Sequence, residues 1–185
     1  MGKIVASEFV TLDGVFEDPG GQQGGRGGWA FSYDRGAEGN RFKVEELEAA
    51  DAQLLGRVTY EGFAAAWPNM QSDDFGRKMN EMPKYVVSST LEHAEWTNSH
   101  VISSDLAGEV PALRDRHAGD ILIAGSGRLV RSLLALDLID ELRLMVYPVV
   151  LGGGAKLFGE SEAPYRLRLS EVRPAGETAI MVLTR

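Results

Sequence analysis

Asp120-Ile121-Leu122-Ile123-Ala124-Gly125-Ser126-Gly127-Arg128 sets three large aliphatic residues in a row and then turns through a glycine-serine-glycine corner. A continuous apolar run with no polar alternation suits a strand buried on both faces, the habit of a parallel sheet. Past the corner, Leu129, Val130, Leu133 and Leu134 recur at helical spacing, so Gly125-Ser126-Gly127 opens a helix. The same strand–glycine–helix pattern stands upstream. Ala52 to Leu55 reads as a short strand and Gly56 punctuates it. From Arg57 the apolar residues Tyr60, Phe63, Ala64 and Trp67 then trace one helical face until Pro68 stops it.

Outward from these two units, Ile4 to Leu12 is strand-like and ends at Asp13-Gly14, and Asn40 to Ala50 reads as a polar helix. Lys84 to Val87 is a strand closed by Ser88-Ser89-Thr90, and Val101-Ile102 another, ahead of a helix near Val110 to His117. After Asp140 come strand-like segments at Glu141 to Val150, Tyr165 to Val172 and Ala179 to Thr184, with no helix between them. Alternating units followed by consecutive strands predict an α/β protein: a mostly parallel mixed sheet with antiparallel C-terminal strands and helices on both faces, in three layers.

The 185 residues carry 19 Lys+Arg against 27 Asp+Glu, a formal charge of −8, and 44% of them are hydrophobic. That is one domain's length with enough apolar content for a core. The acidic balance argues against nucleic acid or an anionic membrane as partner, since either needs a basic face. There is no cysteine, which excludes a disulfide framework, a thiolate nucleophile and a zinc site built on sulfur. The N-terminal apolar run meets Ser7-Glu8 too early for a signal peptide, and no run approaches the ~20 residues that span a bilayer. The expectation is a cytoplasmic protein.

Ligands of open α/β sheets lie beyond the carboxyl ends of the strands, where helix N-termini offer free N–H groups. Three corners carry suitable residues: Gly56-Arg57-Val58-Thr59, Ser88-Ser89-Thr90 and Gly125-Ser126-Gly127-Arg128. Together they suggest a dinucleotide with an additional phosphate, because arginine grips phosphate in a bidentate way. Gly125 to Val130 departs from the dinucleotide fingerprint by ending in valine, and Gly152-Gly153-Gly154-Ala155-Lys156-Leu157 lacks the Lys-Ser/Thr pair of a P-loop. His93, His100 and His117 show no metal-ligand spacing, so no metal is expected; nor is there a serine-hydrolase elbow. Among the carboxylates, Asp13 closes the first strand. Asp34 follows Trp29-Ala30-Phe31-Ser32-Tyr33, where desolvation by the aromatic rings would raise its pKa and suit it to proton donation. Asp13 reads equally as a turn former and Asp34 as a helix N-cap. Pro19 to Gly28, with six glycines in ten residues, reads as a ligand-covering lid.

In order along the chain, Thr11-Leu12-Asp13-Gly14, Leu55 to Glu61, Val87-Ser88-Ser89, Ile123 to Gly127 and Pro148 to Phe158 resemble the dihydrofolate-reductase-like family, in its branch related to the riboflavin-biosynthesis reductase domain. The resemblance covers nearly the whole chain, 1–185. It implies that fold, NADPH as cofactor, and a homodimer. It places Arg57, Ser89 and Arg128 at the 2′-phosphate, and Thr59 and Gly125-Ser126-Gly127 at the pyrophosphate, with Gly56 and Ser88 in the same corners. Trp29 and Asp34 match the Trp and acid spacing of dihydrofolate reductases. Met82 and Met145 stand where those enzymes carry an arginine and a threonine for folate.

The expected activity is NADPH-dependent hydride transfer to a small heterocyclic or aminopyrimidine substrate, such as 5-amino-6-(5-phosphoribosylamino)uracil. Asp34 and Asp13 are the candidate catalytic acids, and Asp13, Trp29 and Phe31 the candidate substrate contacts. The alternatives are a non-catalytic nicotinamide-nucleotide-binding module and a weak dihydrofolate or pterin reductase.

Overall fold

Eight strands form one sheet in the order β4-β3-β2-β5-β1-β6-β8-β7. This is a computed structural model, and it describes residues 1–21, 25–159 and 164–185. The strands are β1 (Ile4–Thr11), β2 (Ala50–Gly56), β3 (Lys84–Val87), β4 (Ser99–Ile102), β5 (Asp120–Ala124), β6 (Glu141–Tyr147), β7 (Arg168–Ala175) and β8 (Thr178–Thr184). The six from β4 to β6 run parallel, and β8 and β7 close the sheet antiparallel. The predicted mixed sheet is the one observed.

The helices are α1 (Gly36–Ala49), α2 (Arg57–Ala66), α3 (Asp74–Glu81), α4 (Leu106–Arg116) and α5 (Gly127–Ala135). On one face, α4 and α5 pack Val110, Leu113, Leu129, Val130 and Leu133 against Ile4, Ala6, Leu54, Ile121 and Ile123. On the other, Leu47 of α1 and Met79 of α3 meet Val5 and Leu122, and Tyr60 of α2 meets Leu55. The alternate residues of β1 and β5 are thus claimed by opposite layers, the reason Ile121-Leu122-Ile123 is apolar without a break.

Several boundaries shift. Helix α3 has no counterpart in the sequence reading, and α4 begins four residues before the expected Val110, because Asp105 caps it by accepting from the Gly108 N–H. Strand β7 starts at Arg168, not Tyr165, and β6 ends at Tyr147, not Val150. Lys84 is fully buried in β3. Its ammonium donates to the Asn80 and Thr97 carbonyls and lies 4.1 Å from the centre of the Trp96 ring.

Candidate active site

Connections from β1 and β2 lead to helices on one face, while the connection from β5, which lies between them, leads to α5 on the other. Neighbouring chains therefore diverge on both sides of the carboxyl end of β5, opening the crevice in which sheets of this kind take ligands.

The three glycine and hydroxyl corners meet there. The Gly56 N–H donates to Ser126 Oγ at 2.8 Å, and Ser126 Oγ donates to Thr59 Oγ1 at 2.8 Å, so the β2–α2 and β5–α5 corners are bonded to each other. Arg57 Nη1 donates to Thr90 Oγ1 at 2.6 Å, which brings in the third corner, where Ser88 Oγ accepts from the Thr90 and Leu91 amides. Ser89, Arg57 and Arg128 are exposed around this junction. Arg57 also pairs with Glu61 at 2.7 Å, an exposed i,i+4 pair worth only about 0.3–0.5 kcal/mol and readily yielded to a phosphate.

Helix ends sharpen the reading. Helices α3 and α4 carry aspartate caps, with Asp73 and Asp105 accepting from Gly76 and Gly108. Helices α2 and α5, like α1, have no side-chain cap, and the leading N–H groups of α2 and α5 lack a side-chain acceptor; at the start of α5 the Phe16 ring packs against the buried Gly127. Gly125 and Ser126 both hold φ of +74°. That left-handed pair turns the chain sharply enough to aim α5 at the junction, and it brings Gly125 so close to Thr59 that a Cβ there would stand 3.2 Å from its side chain. Convergent free amides, hydroxyls and two arginines fit the phosphates of a dinucleotide.

The acids are arranged differently from the sequence expectation. Asp34 is exposed, and its Oδ1 accepts from the Gly36 N–H at 2.7 Å at the start of α1, so the rings do not enclose it. Phe31 is 81% exposed, whereas Trp29 is buried, with its indole on the Glu17 carbonyl and its ring edge-on to Tyr147. Asp13 accepts from the Thr11 hydroxyl at 2.6 Å and from the Leu151 and Gly152 amides at 3.3 and 2.9 Å. Those donors, the hydroxyl foremost, hold its carboxyl down to about 2, so that it is ionised at neutral pH and clasps the 151–152 loop. Residues 22–24 of the expected lid lie outside the described residues. Beside them, Arg26 reaches the Leu151 carbonyl at 2.7 Å.

One of the buried acids, along with Glu46 and Glu141, is Glu8, which has no part in the sequence reading although it interrupts an otherwise apolar stretch of a central strand. It is 3% exposed, lies beside Gly125 through the pairing of Ser7 with Ala124, and leaves Oε1 without a partner. Burial pushes it up to about 8 against the opposing pull of Lys43 and Gly125, with Glu46 adding to the rise. On the α1 side of the sheet Lys43 bonds Ser7 Oγ at 2.9 Å and Glu46 at 2.5 Å, and lies over Phe9, while Arg143 links Glu46 to Asp120 and Glu141. Met82 and Met145, at the positions noted for folate, are buried in the apolar core.

Two surface clefts, of about 690 Å³ beside Arg131, Lys156 and Phe158 and about 520 Å³ between α2 and His93–Trp96, include none of the corner residues. Among the described residues no group of three His, Asp or Glu could hold a metal ion, and no helix is long and apolar enough to cross a membrane.

The family model described as RibD C-terminal domain matches residues 2–181. Two Bacillus subtilis (strain 168) proteins, YyaP and YwjB, both described as uncharacterized, are 25% and 27% identical over 186 and 175 residues, covering 98% and 95% of this chain and 93% of each of theirs. Among solved structures, a Shewanella sp. PV-4 protein provisionally ascribed to riboflavin biosynthesis superposes with a TM-score of 0.79 at 21% identity, covering 100% of this chain and 99% of that one. A Thermotoga maritima diaminohydroxyphosphoribosylaminopyrimidine deaminase/5-amino-6-(5-phosphoribosylamino)uracil reductase gives 0.65 at 15% identity, with 99% of this chain aligned to 56% of that one. Dihydrofolate reductase from Enterococcus faecalis, complexed with NADP(H), gives 0.60 at 17%, over 100% of this chain and 96% of that one. The three share the dihydrofolate-reductase-like fold with this chain.

Proposed function

We propose that this chain, which belongs to the RibD C-terminal domain family, is a single-domain reductase that uses NADPH to reduce a small heterocycle or a sugar-phosphate-linked aminopyrimidine. The observation that carries the reading is the meeting of two uncapped helix N-termini, α2 and α5, bonded to each other through Ser126 and flanked by Arg57 and Arg128. The reductase named for the Thermotoga protein and the NADP(H) of the Enterococcus complex support the same assignment.

In this reading Gly56, Thr59, Gly125, Ser126 and Gly127 hold the pyrophosphate, and Arg57, Ser88, Ser89 and Arg128 surround the 2′-phosphate. The bound nicotinamide supplies a hydride. The chain's own part is to orient the two reactants, exclude water and make a proton available. Asp34, exposed where Trp29 to Tyr33 leads into α1, is assigned the carboxyl that passes a proton to substrate or to a water beside it. Asp13 holds the Leu151–Gly152 segment in place and contacts substrate, and Trp29 with Phe31 borders the substrate space. Met82 and Met145 leave no polar grip for folate, which favours a smaller acceptor. The free edge of β7, with exposed Leu169 and Val172, would serve a homodimer.

The test is to titrate NADPH by fluorescence quenching and then follow its oxidation with dihydrofolate, pterins and ribityl or phosphoribosyl aminouracils. Saturable binding with turnover of an aminouracil is the expected result. Binding without turnover on any acceptor overturns the reductase in favour of a nucleotide-binding module. Asp34→Asn should lower turnover by about 10²- to 10⁴-fold with cofactor affinity kept, and unchanged turnover removes Asp34 from the mechanism.

A further inference from the structure

A buried carboxyl with a bare oxygen lies beside the corner that the proposed cofactor requires. Glu8 lies in the middle of β1, one residue past Ser7, which pairs with Ala124, the last residue of β5. That register sets it beside Gly125, at the head of the turn that opens α5, and the Gly125 amide acts to lower its pKa. No hydrogen bond reaches Oε1, although the side chain is almost wholly out of water. A buried carboxyl with a bare oxygen costs far less as the neutral acid than as the anion, whose full charge is then held out of water without a partner.

We propose that Glu8 is a residue of the cofactor site that works as a neutral acid, so that binding of the anionic dinucleotide is coupled to proton uptake by Glu8 whenever it is ionised. The inference rests on the reductase reading above and adds a proton to it.

The charges acting on Glu8 are few. From α1, Lys43 favours the anion and Glu46 opposes it, while Lys43 is itself held by Ser7 and Glu46. From β6, Arg143 is engaged by Glu46, Glu141 and, across on β5, Asp120. From the β5–α5 turn comes only the Gly125 amide, and Arg128 on α5 is exposed. None of these neutralises Glu8 directly. An ionised Glu8 therefore sets a negative charge beneath the corner that must receive phosphates, in a medium where screening is weak. The side chain titrates at about 8 in the free protein. Above that pH, binding must return a proton to Glu8 or accept the repulsion.

NADPH affinity, measured by fluorescence quenching from pH 7 to 9.5 on the intact protein, should be level up to about 8 and then fall, by as much as tenfold per pH unit. Glu8→Gln, which keeps the shape and the neutral state, should bind with a flat profile and exceed the wild type at pH 9. Calorimetry of the wild type at pH 8.5 in two buffers of different ionisation enthalpy should record a net proton taken up with NADPH, a readout that needs no variant. Equal pH slopes in both proteins, or no proton uptake by the wild type, overturns the role of Glu8 while leaving the cofactor assignment intact. Absence of saturable NADPH binding by either protein at pH 7 sinks the cofactor assignment itself, and this inference with it.

Discussion

Ser126 is held at φ +74° without the excuse of being glycine, a conformation that costs on the order of 1–3 kcal/mol and persists only where its surroundings impose it. Here its hydroxyl joins Gly56 and Thr59. Ser126→Ala should lose both hydrogen bonds and keep the strain, lowering stability by about 1–2 kcal/mol and weakening NADPH. Ser126→Gly should regain much of the stability but not the affinity, a split that denaturation and quenching together would read. Arg57→Ala tests the phosphate next to it: loss of a charge-assisted contact of about 1.5–3 kcal/mol should weaken NADPH roughly ten- to hundredfold and NADH far less. Equal losses would take Arg57 away from the 2′-phosphate. Both residues are readable in the sequence because a corner is local: glycine, hydroxyl and arginine stand side by side in the chain. Glu8, Lys43 and Arg143 are not, since they come from three elements far apart in sequence and acquire meaning only when β1, α1 and β6 are packed. The one trace Glu8 leaves is an acid inside a strand that should be buried.

The division between capped and uncapped helices is a property of elements. Asp73→Ala and Asp105→Ala should each cost about 1 kcal/mol of stability and leave NADPH affinity unchanged, because these caps bond Gly76 and Gly108 and none of the corner residues. A loss of affinity in either would mean that these caps shape the site after all. Element boundaries also show where sequence reading stops. Helix α3 does carry a period, Phe75, Met79 and Met82 at i, i+4 and i+7, but charged residues around it hide the stripe in so short a segment. In α4, Pro111 looks like a first-turn proline, yet the Asp105 cap starts the helix well before it. The edge strand β7 has few buried side chains, so nothing in its pattern fixes its ends.

At the scale of the molecule, two buried ionisable groups bend stability in opposite directions about the same pH. Glu8 is raised to about 8 from 4.5, so the stability it contributes is complete below 4.5 and lost as pH rises through 8. Lys84 is lowered by burial to about 8 from 10.5, so its contribution is absent below 8 and complete above 10.5. From these two groups the folded state is least stable near pH 8, and thermal unfolding followed across pH 4 to 10.5 should show it. Glu8→Gln should flatten the lower limb and Lys84→Met the upper; a lower limb unchanged by Glu8→Gln would mean that Glu8 does not titrate as described.

The sheet order carries a consequence for how the polypeptide is made. Strand β1 leaves the ribosome long before its two neighbours, β5 and β6, which are reached only at Ile121 and Glu141. A nascent chain halted before Tyr147 holds an apolar strand with at least one side unmatched, and it should be cut by proteases and held by chaperones until translation passes that point.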